Sequence, residues 1–426
     1  MIIVKDLEFK ISKWGVISAL VGYALSFYSV YFFHLMILIF LIYVFLISGN
    51  LNLRTIKVVK PIIIFFVFSA FTLIWAKNFE VGIRNLFYIA CGSFAVIFTI
   101  LATSDVFKLR EIYKVLILVS MINFTIGFCE SLGFFRFPVS PFSPYAPYFG
   151  IKASDLNEFS AFQLESILSK PTGFNGNPNT FGFVFILLFP FLFFYNKYLR
   201  VVSIVLIIFF NYYVQSRGIF LATILFFLIY FFINFGRKFI YFIFFTLFSL
   251  VALPFINYDF GSLRISNSFE SLSIGFNNIF NRNIDLYSNS TDVRSSIYTL
   301  GIIGLLDSPI LGLGLGGIQS ILINMNSPIQ SFHFYFLEVL VDYGVVFYLF
   351  FIGYYGFIVL KLFKISKKNI NNSVKSIILA VFYSLVIMPV ASITPSSIVY
   401  NLTAWIIVGF ALSIIYLDKE GKLHDN

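Results

Sequence analysis

Apolar runs of about 20 residues recur along the whole chain, each long enough to cross the hydrocarbon core of a bilayer. No other feature limits the fold as much. A folded chain always keeps a large outside, and in water much of that outside has to be polar. Here 59% of the 426 residues are hydrophobic and only 11% are charged, so the outside has to face lipid. The sequence predicts an all-α, polytopic integral membrane protein, with 1–426 forming a single membrane domain.

The runs predict about twelve transmembrane helices, at 14–32, 33–49, 61–76, 86–102, 113–133, 177–195, 201–215, 219–235, 239–256, 334–360, 374–391 and 398–417. An even number leaves both termini on one side. Of the 29 lysines and arginines, 20 fall in alternate linkers, including Lys57 and Lys60, Lys108 and Arg110, Lys197 and Arg200, and Lys361 to Lys375. The other nine are Lys77, Arg84, Arg136, Lys152, Lys170, Arg217, Arg264, Arg282 and Arg294. Most of the acidic residues share their side. By the positive-inside rule both termini are cytoplasmic. The net charge of +10 is then a topology signal and argues for no nucleic-acid partner.

The first apolar run continues into a helical hairpin over 14–48 with no small-residue cleavage site, so no cleaved signal peptide is expected. Cys91 and Cys129 fall inside spans and read as small buried apolar residues. Nothing resembles a redox pair or a zinc site, and no metal or cofactor is expected.

Two outer loops are large, before the sixth and tenth spans. The first, 134–176, opens with Pro138, Pro141, Pro144 and Pro147 among aromatics, which cannot form a helix. A partly amphipathic stretch follows, Asp155 to Leu168. The second loop, 257–332, is rich in Asn and Ser in its first half. Its second half, Asp292 to Ile323, is broken by Gly301, Gly304, Pro309, Gly312, Gly314, Gly316 and Gly317. We expect there a helix lying near the outer surface, then a Gly-rich turn. Long structured loops commonly carry function. No internal repeat and no matching pair of broken spans suggests a secondary transporter.

Arg217 lies in Gln215-Ser216-Arg217-Gly218, wedged between two apolar runs on the outer side. A charge held at membrane depth is costly and is a functional candidate. His333, in Ser331-Phe332-His333-Phe334-Tyr335, stands at the entrance of the tenth span; it suits a general base or phosphate ligand as well as an interfacial anchor. Glu338 and Asp342 share a face at i, i+4, as parts of a site or as structural partners of outer arginines. Arg264, Arg282 and Arg294 occupy the second loop, where a guanidinium fork suits a diphosphate. The sixth span is entered through Gly173-Phe174-Asn175-Gly176-Asn177-Pro178-Asn179, with Asn177 suited to the cap and Pro178 to the first turn.

Taken in order, these residues resemble the bacterial O-antigen ligase and O-antigen polymerase superfamily. The resemblance rests on the Gly173–Asn179 stretch, on Ser216-Arg217-Gly218, and on Arg294 followed by Pro309-Ile310-Leu311-Gly312-Leu313-Gly314 and by His333 with Tyr335, Leu337 and Asp342-Tyr343-Gly344. It covers about 170–350 by motif and the whole chain by topology. Phe334 stands where the family usually has Asn, and Lys170 near where an Arg is common.

The resemblance implies a GT-C-like, metal-independent membrane glycosyltransferase of the bacterial cytoplasmic membrane. Its partners would be an undecaprenyl-diphosphate-linked glycan, a glycan or lipid acceptor, membrane lipids and other polysaccharide-assembly proteins. By carry-over Arg217 and Arg294 would hold the diphosphate, and His333 would activate the acceptor or contact the diphosphate. Arg264, Arg282, Asn177, Asn179, Tyr335, Glu338 and Asp342 complete the expected substrate-binding set. Two sizeable outer loops fit a polymerase of O-antigen, capsule or teichuronic-acid type. One dominant loop before the tenth span fits a ligase. A lipid-glycan flippase would instead require charges deep within several spans, and the charges here collect at outer ends.

Overall fold

A computed structural model of the chain describes residues 2–28, 30–48, 53–154, 161–236, 290–327 and 329–424. The described helices are α1 (Ile2–Val21), α2 (Phe32–Tyr43), α3 (Leu53–Phe71), α4 (Phe79–Ala102), α5 (Val106–Ser131), α6 (Ala161–Leu168), α7 (Pro178–Tyr195), α8 (Lys197–Val214), α9 (Arg217–Phe235), α10 (Ser290–Asp307), α11 (Gly317–Asn324), α12 (Tyr335–Ser366), α13 (Asn372–Ala391) and α14 (Leu402–Lys419). One two-residue hairpin, β1 (Ser26–Phe27) and β2 (Val30–Tyr31), joins α1 to α2. Among the described residues nine helices are long and apolar enough to cross a membrane. The chain is a multi-pass α-helical membrane protein.

Those nine coincide with nine of the twelve expected spans. The span expected at 239–256 lies outside the described residues. The remaining two, at 14–32 and 33–49, need adjustment. The first helix starts at Ile2 and stops at Val21, and the second is a shorter apolar helix. The charged start of the chain continues the first helix, and its charges pair: Asp6 meets Lys10 at 2.7 Å one turn on, and Lys13 meets Glu111 of α5 at 2.6 Å. The helix then ends where Gly22 takes a φ of 53° and Ser26-Phe27 turn extended.

Two compact units divide the chain. The first comprises Met1–Phe68, Leu86–Ala222 and Ile352–Asn426; the second comprises Ser69–Asn85 and Thr223–Phe351.

The first unit is built around α7. This helix is apolar on every face, and Phe181 through Phe194 are all buried. Phe181 and Phe185 interlock with Phe124 and Phe210 at centroid separations of 4.8–6.2 Å. Such edge-on aromatic packing replaces the hydrophobic drive that lipid does not supply. Ser384 of α13 donates to the Leu187 carbonyl at 2.7 Å, and Tyr113 of α5 to that of Phe191 at 2.8 Å. Pro389 lies inside α13 and offers no N–H to the Leu385 carbonyl one turn earlier. The Tyr355 hydroxyl of α12 donates to that carbonyl instead, so the helix keeps its proline without an orphaned acceptor. At the end predicted to be cytoplasmic, Lys361 and Lys368 flank the Asp418 carboxylate at 3.8 and 2.5 Å.

The second unit has its own core of Ile297, Leu300, Leu313, Ile318, Leu322, Phe332 and Val341. The helix expected before the Gly-rich turn is present as α10. The turn is followed by a further helix, α11, which the density of glycines concealed in the sequence.

Candidate functional site

In the first unit the Gly173–Asn179 stretch is held from below by Glu130, at the end of α5. Glu130 is fully buried. Its carboxylate accepts the backbone N–H groups of Thr172 and Gly173, each at 2.7 Å, the Thr172 hydroxyl at 2.9 Å and the Phe137 N–H at 3.1 Å. Arg136 completes the shell, its Nη1 3.6 Å from Glu130 and 2.8 Å from the Lys170 carbonyl, to which it donates. Burial pushes the Arg136 guanidinium below its ordinary value, and the Glu130 charge opposes that shift. Asn123, also buried, accepts the Phe174 N–H at 2.8 Å. Neither Glu130 nor Arg136 stood out in the sequence. Their signal was an acid at the end of a span with an arginine six residues on, facing each other across the Leu132-Gly133 turn that precedes the proline-rich stretch.

Above this anchor Asn177 caps α7, accepting the N–H groups of Asn179 and Thr180 at 2.8 and 3.3 Å. Asn179 lies in the first turn of the same helix. One turn further, Gly182 meets the α8–α9 turn so closely that a Cβ would lie 2.0 Å from Ile219 Cδ1 and 3.0 Å from Val214 Cγ1. The structure thereby brings the Asn177–Asn179 helix start and the Ser216-Arg217-Gly218 turn to one end of the unit. Arg217 opens α9 and is exposed. Gln215, two residues before it, holds a left-handed conformation with φ 54°, which a residue with a Cβ adopts at a cost.

In the second unit the Gly-rich turn closes around Asp342-Tyr343-Gly344. Leu313 N–H donates to the Val341 carbonyl at 3.0 Å, Gly314 N–H to that of Asp342 at 2.9 Å, and Val345 N–H to that of Pro309 at 2.8 Å. The Asp342 carboxylate, 2% exposed, accepts the N–H groups of Gly316 and Ile318 at 3.0 and 3.2 Å. Gly316 is the cap position of α11 and has no side chain to satisfy the first N–H groups. Asp342 supplies that cap from another helix, with the positive end of the helix dipole facing the charge. Gly344 breaks α12 at φ 79°, ψ 170°, and a Cβ there would lie 2.1 Å from the Ile310 carbonyl oxygen. Tyr343 and Ser69 hydroxyls meet at 2.9 Å, and the Leu315 N–H reaches the Thr72 hydroxyl at 3.2 Å.

His333 stands two residues before α12. It is 8% exposed and has φ 57°. The Tyr298 hydroxyl of α10 lies 3.4 Å from its carbonyl oxygen. Tyr335 is buried at the start of α12, and Glu338, half-buried, falls in its first turn. Arg294 belongs to α10 by its backbone. Arg264 and Arg282 lie outside the described residues. Among the described residues no three His, Cys, Asp or Glu side chains gather as a metal site.

Compared with known proteins, no family model matches this chain and no curated protein matches it significantly.

Proposed function

We propose that this chain is a membrane glycosyltransferase that joins undecaprenyl-diphosphate-linked oligosaccharide repeat units into a surface polysaccharide, on the extracytoplasmic face of the bacterial cytoplasmic membrane. The product would be of O-antigen, capsule or teichuronic-acid type. The proposal carries with it a GT-C-like arrangement of twelve spans with both termini cytoplasmic. The observation that favours it most is where the backbone is forced. Among the described residues four non-glycine residues have positive φ; one is His333 and another is Gln215, beside Arg217. Such conformations persist only where the surroundings impose them, and they collect at sites.

In the reaction the acceptor hydroxyl gives its proton to a base, for which His333 is the candidate, and its oxygen attacks the anomeric carbon of the lipid-linked sugar. The bond from that carbon to the diphosphate oxygen breaks, and the carrier leaves with the electron pair. Negative charge grows on the diphosphate as the bond breaks, so cations placed there bind the transition state more tightly than the substrate. Arg217 and Arg294 take this role, with Arg264 and Arg282 as further phosphate contacts. Alternatively His333 contacts the diphosphate itself. Asn177, Asn179, Tyr335 and Glu338 are candidates for glycan hydroxyls. We give Asp342 the holding of the Gly-rich turn, since its oxygens are engaged by backbone N–H groups. The reaction needs no metal.

The test supplies membranes with the host's undecaprenyl-diphosphate-linked repeat unit and resolves the products by length, with and without a chelator. A ladder in both conditions supports the proposal. A single transfer to a second acceptor makes the protein a ligase. Transport of the lipid-linked unit with nothing joined makes it a flippase.

A further inference from the structure

The turn that carries Arg217 is keyed into a second loop, between α13 and α14. Thr394 of that loop is 3% exposed. Its hydroxyl lies 3.1 Å from the Ser216 hydroxyl. Gly218 rests on the same oxygen, where a Cβ would come within 2.3 Å, while the next atoms of Thr394 stay at 3.4 and 3.5 Å. The residue before Arg217 is therefore hydrogen-bonded to Thr394, and the residue after it is packed against Thr394. On the other side Gln215 is already fixed at φ 54°. A long, exposed arginine thus springs from a turn held at Gln215, at Ser216 and at Gly218. A cation so mounted loses less freedom when it binds an anion than one on a loose turn.

We infer that Thr394 is a positioning residue for Arg217, setting the Ser216-Arg217-Gly218 turn for the diphosphate of a polyprenyl carrier. The inference rests on the reading of Arg217 as a diphosphate-binding residue. It adds the α13–α14 loop to the machinery. It also gives Gly218 a reason, since only a residue without a Cβ fits against the Thr394 hydroxyl.

The test uses the purified full chain in detergent, with farnesyl diphosphate as a short polyprenyl diphosphate and farnesol as its uncharged control. Affinity and the melting temperature of the unliganded protein are measured together. Removing one neutral hydrogen bond corresponds to about a 3- to 10-fold change in an equilibrium constant. Thr394→Val should weaken farnesyl diphosphate binding by that factor at an unchanged melting temperature, and Thr394→Ser should bind as wild type. Gly218→Ala should lose folded protein. Adding Thr394→Ala removes the clashing oxygen and should restore folding, with affinity no better than that of Thr394→Val.

Wild-type affinity in Thr394→Val, beside lost affinity in Arg217→Ala, overturns the inference and leaves the diphosphate reading standing. A melting temperature that falls with affinity in Thr394→Val, without rescue by Thr394→Ser, also overturns it, because Thr394 then only holds the fold. If wild type binds farnesyl diphosphate no better than farnesol, the diphosphate reading fails and this inference falls with it.

Discussion

Glu130 and Asp342 are both buried carboxylates that accept backbone N–H groups from a loop bearing glycines at positive φ, yet they balance their charge differently. Glu130 has Arg136 beside it and collects three N–H groups and a hydroxyl. Asp342, among the described residues, has no ion-pair partner and relies on the first N–H groups of α11. The first is a charged knot that needs its cation. The second is a helix cap supplied from a neighbouring helix, where the acceptor matters more than the full charge. In both units the buried acid holds a loop in shape, and the residue proposed for chemistry stands on another segment: Arg217 in the first, His333 in the second.

The largest effect should come from the second unit's lock. Gly344→Ala puts a Cβ 2.1 Å from the Ile310 carbonyl at a φ of 79°. Neither backbone can move without opening the turn around Asp342, so we expect no monodisperse protein on size exclusion in detergent. Next comes the charged knot. Glu130→Ala leaves a mostly buried guanidinium and several donors unpaired, which costs about 3–5 kcal/mol, read as a large fall in melting temperature. Third, Asp342→Asn keeps one acceptor oxygen and should cost about 1–3 kcal/mol. Glu130→Gln makes the same chemical change beside Arg136 and should cost more. Equal costs for the two amides would break the distinction drawn between them. The smallest effect is Asn177→Ala, which removes the cap of α7 for about 1 kcal/mol and should leave the Glu130 knot intact, as judged by unchanged proteolysis of the 134–154 segment.

The spans were legible because lipid imposes a length and a composition on each of them, and nine recur at the expected places. The start of the chain was less so. Its apolar count ran on through Ser26 to Tyr31, where the chain forms a hairpin, and its charged first half reads as a linker until Lys13 is seen to reach Glu111. The Gly173–Asn179 stretch and the Gly-rich turn announced themselves through residue types that only tight backbone turns need. What anchors them did not. Glu130 and Thr394 act across 42 and 178 residues of sequence respectively, and nothing local marks a carboxylate or a hydroxyl as the partner of a distant backbone. For Asp342 the sequence shows the face it shares with Glu338 and hides its partners, the N–H groups of Gly316 and Ile318.

The most direct measurement pairs turnover with melting temperature for Arg217→Ala and His333→Ala in the product-ladder assay. If exposed Arg217 and strained His333 serve chemistry while the buried acids serve the fold, Arg217→Ala should melt as wild type. It should also lose turnover by about 10²- to 10³-fold, the usual effect of removing one group that stabilises developing charge. His333→Ala should likewise lose the ladder while remaining folded. Wild-type ladders from folded Arg217→Ala and His333→Ala proteins would contradict the account.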